Sequence, residues 1–137
     1  MYKFLIFAVL CLLSQPAFSA YVVIVNQQNT ASITIDDVKK IYSGKMASFP
    51  DGTLAKPIML TDKDPARKVF LDKVLQMNEN RFVAIWAKLL FTGNGIPPIE
   101  LQSTEQVLQL VYSDRYAIGF IHKTQLNSSV KVVAEFR

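Results

Sequence analysis

Among 137 residues the chain has one cysteine, Cys11, and one histidine, His122. Cys11 lies within an apolar N-terminal run and no small-residue lipobox precedes it, so it is not a lipoprotein anchor. Beyond that run there is no thiol, which excludes disulfides, thiolate metal sites and a cysteine nucleophile. A lone histidine without a carboxylate at ligand spacing makes no metal set and reads as a surface or loop residue. The chain also lacks a His-x-x-Glu-His arrangement, a Gly-x-Ser-x-Gly elbow and a Walker loop, so hydrolase and nucleotide-triphosphatase chemistry has no support. No stripe of Lys and Arg is present to follow a phosphate backbone. The net charge of +4 falls to +3 past residue 19, because Lys3 is the only charge before it. That mild excess suits an anionic ligand or an anionic bilayer face, and nucleic acid is not an expected partner.

What is present begins with a leader. Lys3, the apolar run Phe4 to Leu13 and the small-x-small triplet Ala17-Phe18-Ser19 predict a signal peptide over residues 1–19, cleaved between Ser19 and Ala20. The run is broken at Ser14-Gln15-Pro16 and falls short of the ~20 residues a membrane span needs. The expected location is therefore periplasmic or secreted. Residues 20–137 suit one domain held together by its core alone.

Tyr21 to Asn26, YVVIVN, is apolar and β-branched without alternation, which predicts a strand inside a sheet. Thr34 caps a short helix with Val38, Ile41 and Tyr42 inward and Gly44 as its stop. Phe49-Pro50-Asp51-Gly52 is a turn signature. The stretch Pro57 to Leu75 then organises the rest: strand Ile58-Met59-Leu60, polar turn Thr61 to Asp64, and a helix capped by Asp64 with Pro65 at its first position. That helix, Pro65 to about Gln76, is expected to bury Val69, Phe70, Val74 and Met77. Asn78 caps the next helix, to about Phe91, whose Phe82, Ile85, Trp86, Leu89 and Leu90 recur at helical spacing as a buried stripe. Gly93-Asn94-Gly95 and Pro97-Pro98 end it. Ser103, with Glu105 and Gln106 behind it, caps a third long helix burying Val107, Leu108, Val111 and Tyr112. Ala117 to Ile121 reads as a buried strand closely approached at Gly119, and Val130 to Phe136 as an edge strand. Strands alternating with helices predict an α/β fold with a mostly parallel or mixed sheet flanked by helices.

A helix N-terminus just past a strand end is where open α/β folds place ligands. The candidate ligand-binding residues are therefore Thr61, Lys63, Asp64, Ala66, Arg67 and Lys68. Gly93, Asn94 and Gly95 are added because their turn either forms an anion-binding nest or simply stops a helix. Asp62 and Asp64 are close enough to be weighed as paired carboxylates, but Asp64 is already occupied as a cap, and no catalytic or metal-binding residue is assigned. Trp86 falls on the apolar stripe, so core is its expected place rather than a stacking platform.

Three stretches carry a resemblance: Ile41-Tyr42-Ser43-Gly44-Lys45; the apolar strand ahead of the helix with Phe70, together with Trp86; and Tyr116-Ala117-Ile118-Gly119-Phe120-Ile121. Together they resemble the solute-binding proteins of phosphate ABC transporters, the PstS type, over Val22 to about His122, which is one of that family's two lobes. The resemblance implies a type II periplasmic-binding-protein lobe spanning residues 20–137, with no enzymatic activity and no cofactor. It further implies a role in phosphate or other oxyanion transport or sensing. The sequence departs from the family where the ligand would sit. The family's Ser-Gly-Thr turn corresponds to Asp64-Pro65-Ala66, and its upstream arginine to Leu60. Two hydroxyls, one N–H and a cation are replaced, so weak phosphate binding is expected. The alternative is a ligand-free interaction module. It would use the old cleft face (the Asp62 to Ala66 turn, the Gly93 to Pro98 loop and the end of the Ala117 strand, with Ile96 and Phe120 exposed) to form a homodimer or to meet a membrane transport or sensor partner.

Overall fold

The computed structural model describes residues 20–137, and the expected signal peptide lies outside the described residues. Among these, five strands form one mixed sheet: β1 (Tyr21–Asn26), β2 (Lys56–Leu60), β3 (Ile99–Leu101), β4 (Ala117–His122) and β5 (Val130–Phe136), ordered β3-β2-β4-β1-β5. β2 runs parallel to both β3 and β4, whereas β1 is antiparallel to β4 and β5. All six residues of β1 are buried, as its unbroken apolar run requires of a strand covered on both faces. β5 is an edge, as expected. β3 is the other edge, a three-residue strand that comes after Pro97-Pro98 and has no apolar run to announce it.

The helices α1 (Ile35–Tyr42), α2 (Pro65–Phe70), α3 (Glu79–Phe91) and α4 (Thr104–Ser113) are all capped by the side chains expected from the sequence: Thr34, Asp64, Asn78 and Ser103. Thr34 and Asp37 form a reciprocal capping box. Gly44 takes φ +76° beyond α1, the left-handed conformation that ends a helix. Past Phe70, α2 widens into a π-helical turn, Leu71–Leu75, and closes on Gln76 at φ +55°. The widening changes which residues face inward. Phe70, Leu71, Val74 and Leu75 are buried, while Val69 and Met77, expected inside at ordinary helical spacing, are half-buried.

Phe70 of α2, Phe120 of β4, Phe136 of β5 and Tyr42 of α1 form one aromatic cluster, with Phe70 and Phe120 stacked at 4.1 Å and 3°. Phe120 is thus fully buried, which corrects its expected exposure. The Tyr42 hydroxyl lies 2.7 Å from the Ile58 carbonyl oxygen and 3.0 Å from that of Ile118, bracing β2 against β4; burial pushes its phenol well above the usual range. On the opposite face α4 presses Val107 and Val111 onto Gly119, and a Cβ there would meet Val107 Cγ1 at 2.8 Å. Asn26, at the end of β1, donates to the last carbonyls of α4, Val111 and Tyr112, both at 2.8 Å.

α3 differs from the stripe expected of it. Phe82 and Trp86 are buried, with Trp86 Nε1 donating to Tyr42 O at 2.9 Å, but Ile85 and Leu89 are half-covered and Leu90 is exposed. Similarly, Leu108 of α4 is only half-buried, and Tyr112 is exposed. Periodicity marks the face that could be buried, whereas the extent of burial depends on how much of a partner element reaches it.

Candidate functional site

The parallel strands β2, β3 and β4 end together at Leu60, Leu101 and His122, and Tyr21 at the start of β1 pairs with His122. The caps of α2 and α4 meet there because each helix begins only a few residues past its strand. Between them lies a polar pocket of about 430 Å³ lined by Asp64, Pro65, Ala66, Ser103, Thr104 and Glu105 from the helix starts, with Tyr21, Gln102, His122 and Gln125 around them.

Thr104 is the most informative group in this pocket. It is only 8% exposed, and its hydroxyl has no hydrogen-bond partner among the described residues although the side chain lines the cavity. Ser103 Oγ accepts from the Gln106 N–H, and Gln106 Oε1 accepts from the Gln102 N–H, which leaves the Thr104 and Glu105 amides unclaimed within the described residues. Asp64 Oδ1 is taken up by the Ala66 N–H at 2.9 Å. His122 Nδ1 accepts the Thr124 N–H at 3.2 Å, so the neutral ring carries its proton on Nε2, and its edge meets Tyr21 at 5.0 Å. Free donors at the start of a ten-residue helix favour an oxygen-rich ligand group. The carboxylates of Asp64 and Glu105, with no Lys or Arg in the lining, oppose a dianion.

The sequence-derived candidates divide among several places. Asp64 and Ala66 line this pocket. Thr61 is buried, tying β2 to β3 through its N–H to Leu101 O, with its hydroxyl 3.3 Å from Asp62 Oδ1. Lys63 is exposed on the turn. Lys68 is exposed on the far side of α2, in a groove with Asp62, Asp72 and Asn78.

Arg67 is not the free cation its position suggested. It is 5% exposed, its Nε donates to Glu79 Oε2 at 3.0 Å and its Nη1 to Leu60 O at 3.0 Å. Its Nη2 pairs with Glu79 Oε1, Glu100 lies 3.6 Å from Nη1, and the Phe82 ring faces its guanidinium at 5.4 Å. Two carboxylates and a carbonyl occupy the fork, so it braces the end of β2 and has no charge to offer an anion.

Gly93, Asn94 and Gly95 lie at the other end of the sheet. Asn94 and Gly95 line an apolar groove with the starts of β2 and β3, and Gly95 packs on Trp86 and Leu89. The loop and the Asp64 turn therefore line different pockets, at opposite ends of β2 and β3. Sequence reasoning misses Tyr21, Gln102, Ser103, Thr104, Glu105, His122 and Gln125 as lining residues. A reading of β3 before the Ser103 cap would have exposed a second strand-turn-helix unit like the one at Asp64. Among the described residues no group of three or more His, Asp or Glu side chains could hold a metal ion, and no helix is long and apolar enough to cross a membrane.

No protein-family model matches the sequence, and neither does any curated protein. Solved structures do match it. An ABC-type phosphate transport receptor from Vibrio cholerae superposes with a TM-score of 0.66 at 17% identity, covering 84% of this chain and 45% of the receptor. A phosphate ABC transporter substrate-binding protein with bound phosphate from Clostridium perfringens gives 0.67 at 16%, covering 84% and 45%. PstS from Borrelia burgdorferi gives 0.62 at 12%, covering 85% and 47%. The chain spans less than half the length of each, and its fold is that of one lobe resembling the phosphate-binding proteins of ABC transporters.

Proposed function

We propose that this chain is a non-catalytic, extracytoplasmic, solute-binding-protein-like domain that takes a small oxyanion weakly in the pocket between the α2 and α4 caps, in phosphate-type transport or sensing. The observation that carries the reading is Thr104, whose hydroxyl makes no hydrogen bond among the described residues and is open to the pocket, at a helix start whose first amides are free, in a lobe folded like those of phosphate-binding proteins. Asp64 and Ala66 form the opposite wall, Lys63 is the exposed candidate cation next to Asp64 on the turn, and Arg67 and Thr61 hold the strand end in place. Each charge-assisted hydrogen bond to an anion is worth about 1.5–3 kcal/mol, and with no cation in the lining the affinity belongs in the millimolar rather than the micromolar range.

Thermal-shift titration with phosphate, sulfate and small carboxylates tests the reading. A ligand of the folded state raises the midpoint according to RT ln(1 + [L]/Kd), and Thr104→Val should abolish the rise while leaving unliganded stability within about 1 kcal/mol. No rise for any of these anions would remove the transport reading. The second reading, a ligand-free module that self-associates or docks through the same face, would then lead. It is favoured by the carboxylates of Asp64 and Glu105 and the absence of a lining cation. Its face comprises the Asp62 to Ala66 turn and the end of β4.

A further inference from the structure

Of the residues lining the pocket between the α2 and α4 caps, only His122 can become a cation, since Asp64 and Glu105 are carboxylates and the others carry no basic nitrogen. It is the sole histidine of the chain, and it ends β4 half-buried where the five residues before it are buried. Imidazole is the side chain whose ordinary titration falls between about pH 5 and 8.

The ring has a partner in either protonation state. When neutral, its Nδ1 accepts the Thr124 N–H at 3.2 Å, and Thr124 Oγ1 lies 2.7 Å from the same nitrogen. A proton on Nδ1 forfeits the first contact, but the hydroxyl oxygen has lone pairs to accept it. The groups around the ring come from four elements. Asp64 at the start of α2 and Glu105 in the first turn of α4 share the pocket with it, and Tyr21 of β1 stands against it at 5.0 Å and 80°. Lys123, the next residue, is turned to Glu135 of β5 at 3.2 Å, and Arg137 lies 3.4 Å from that same carboxylate. The charges lining the pocket are thus both negative while the ring is neutral, although the unpartnered Thr104 hydroxyl and the free α4 amides await an acceptor.

We propose that His122 is the cation of this site, so that the pocket takes a dianionic oxyanion together with a proton and holds it by the Thr104 hydroxyl, the α4 amides and the imidazolium. This role rests on the oxyanion reading of the pocket and makes binding tighten as pH falls through the imidazole range. By linkage, the bound anion raises the pH at which His122 titrates.

The test uses untagged residues 20–137, which contain every element and the whole core described above, and sulfate, which stays a dianion throughout the range. Calorimetric titrations at constant ionic strength are made at about pH 5.5 and about pH 8, near the two ends of the imidazole range. Sulfate should bind about tenfold tighter at the lower pH, because a neutral hydrogen bond becomes a charge-assisted one. His122→Asn places a carbonyl oxygen where Nδ1 accepts the Thr124 N–H, and should bind weakly and equally at both values with circular dichroism unchanged. Glu105→Gln should tighten sulfate at both values and keep their ratio. Because His122 is the one histidine, its ring protons identify themselves in NMR spectra of the parent protein, and saturating sulfate should raise their titration midpoint. Equal affinity at the two pH values, or a midpoint unmoved by sulfate, would overturn the role of His122 and leave the oxyanion reading standing. A ratio that persists in His122→Asn or vanishes in Glu105→Gln would overturn it too and give the pH dependence to another group. No binding at either pH would remove both.

Discussion

Past the C-terminal ends of β2, β3 and β4 the chain presents helix caps, a free hydroxyl and carboxylates; before their N-terminal ends it presents Leu54, Ile96, Pro97 and Ile99. The same parallel strands produce both ends, so the difference comes from the segments that flank them. After a strand the chain must start a helix, and helix starts attract Ser, Asp and Thr to satisfy orphan N–H groups. Before β3 it has only to stop a helix and re-enter the sheet, which Gly93, Gly95, Pro97 and Pro98 accomplish without polar side chains. Hydrocarbon exposed at the second end is therefore not forced by the fold. An apolar side chain should matter for stability only where it joins the sealed core.

Two phenylalanines test that directly. Phe120→Ala, inside the stack with Phe70, should cost about 4 kcal/mol in urea denaturation, whereas Phe91→Ala should stay within about 0.5 kcal/mol. A comparable loss at Phe91 would show that α3 is held by contacts at its end and would dissolve the contrast. Next in size, Arg67→Ala should cost about 2 kcal/mol, since it removes packing on Phe82 and leaves the buried Leu60 carbonyl unpaired. Any anion-induced thermal shift should survive it, because Arg67 does not line the polar pocket; loss of that shift would return Arg67 to the site. Gly44→Ala at the apolar end should cost about 2 kcal/mol, because φ is +76° and the new Cβ would strike the Leu89 side chain.

The smallest effect concerns pH. The hydrogen bond from Lys123, with its charge and that of Arg137, holds the Glu135 carboxyl below the usual range. A depressed folded-state pKa contributes stability when the group is ionised, above its unfolded value, and that contribution is lost as pH falls through the folded value. Glu135→Gln should therefore lower Tm slightly at neutral pH and converge with the parent at the acid extreme, which flattens the acid limb of a plot of Tm against pH. An unaltered acid limb would mean that the Lys123 contact adds nothing in solution.

What could be read from the residues was what is encoded locally. The caps Thr34, Asp64, Asn78 and Ser103, the stop at Gly44, the interior character of β1 and the close approach at Gly119 each depend on a few neighbouring positions, and all were legible. Two kinds of feature were not. β3 has three residues, two of them exposed, so it lacks the hydrophobic signal of a strand and exists because β2 offers it an edge. Arg67 reads as a surface cation at the start of a helix, and its burial depends on Glu79 and Glu100, which converge on it only after α3 and β3 have folded back. The candidate site inherited both errors. Missing β3 hid Thr104 as a lining residue, and a free Arg67 supplied a charge that the pocket does not have.

The position of β1 has a consequence for the order of assembly. It is made first among the strands, yet its neighbours are β4 and β5, so Tyr21 finds its partners only at His122 and Phe136. Until those last segments exist, β1 has no hydrogen-bonded neighbour, and the sheet lacks the strand between its two later-made flanks. Such long-range closure makes folding slow and leaves a growing chain open until β4 and β5 have been made. A polypeptide built in this order stays threadable until β4 and β5 have emerged, and removal of β5 would leave β1 paired on one side only, its most hydrophobic strand turned into an edge.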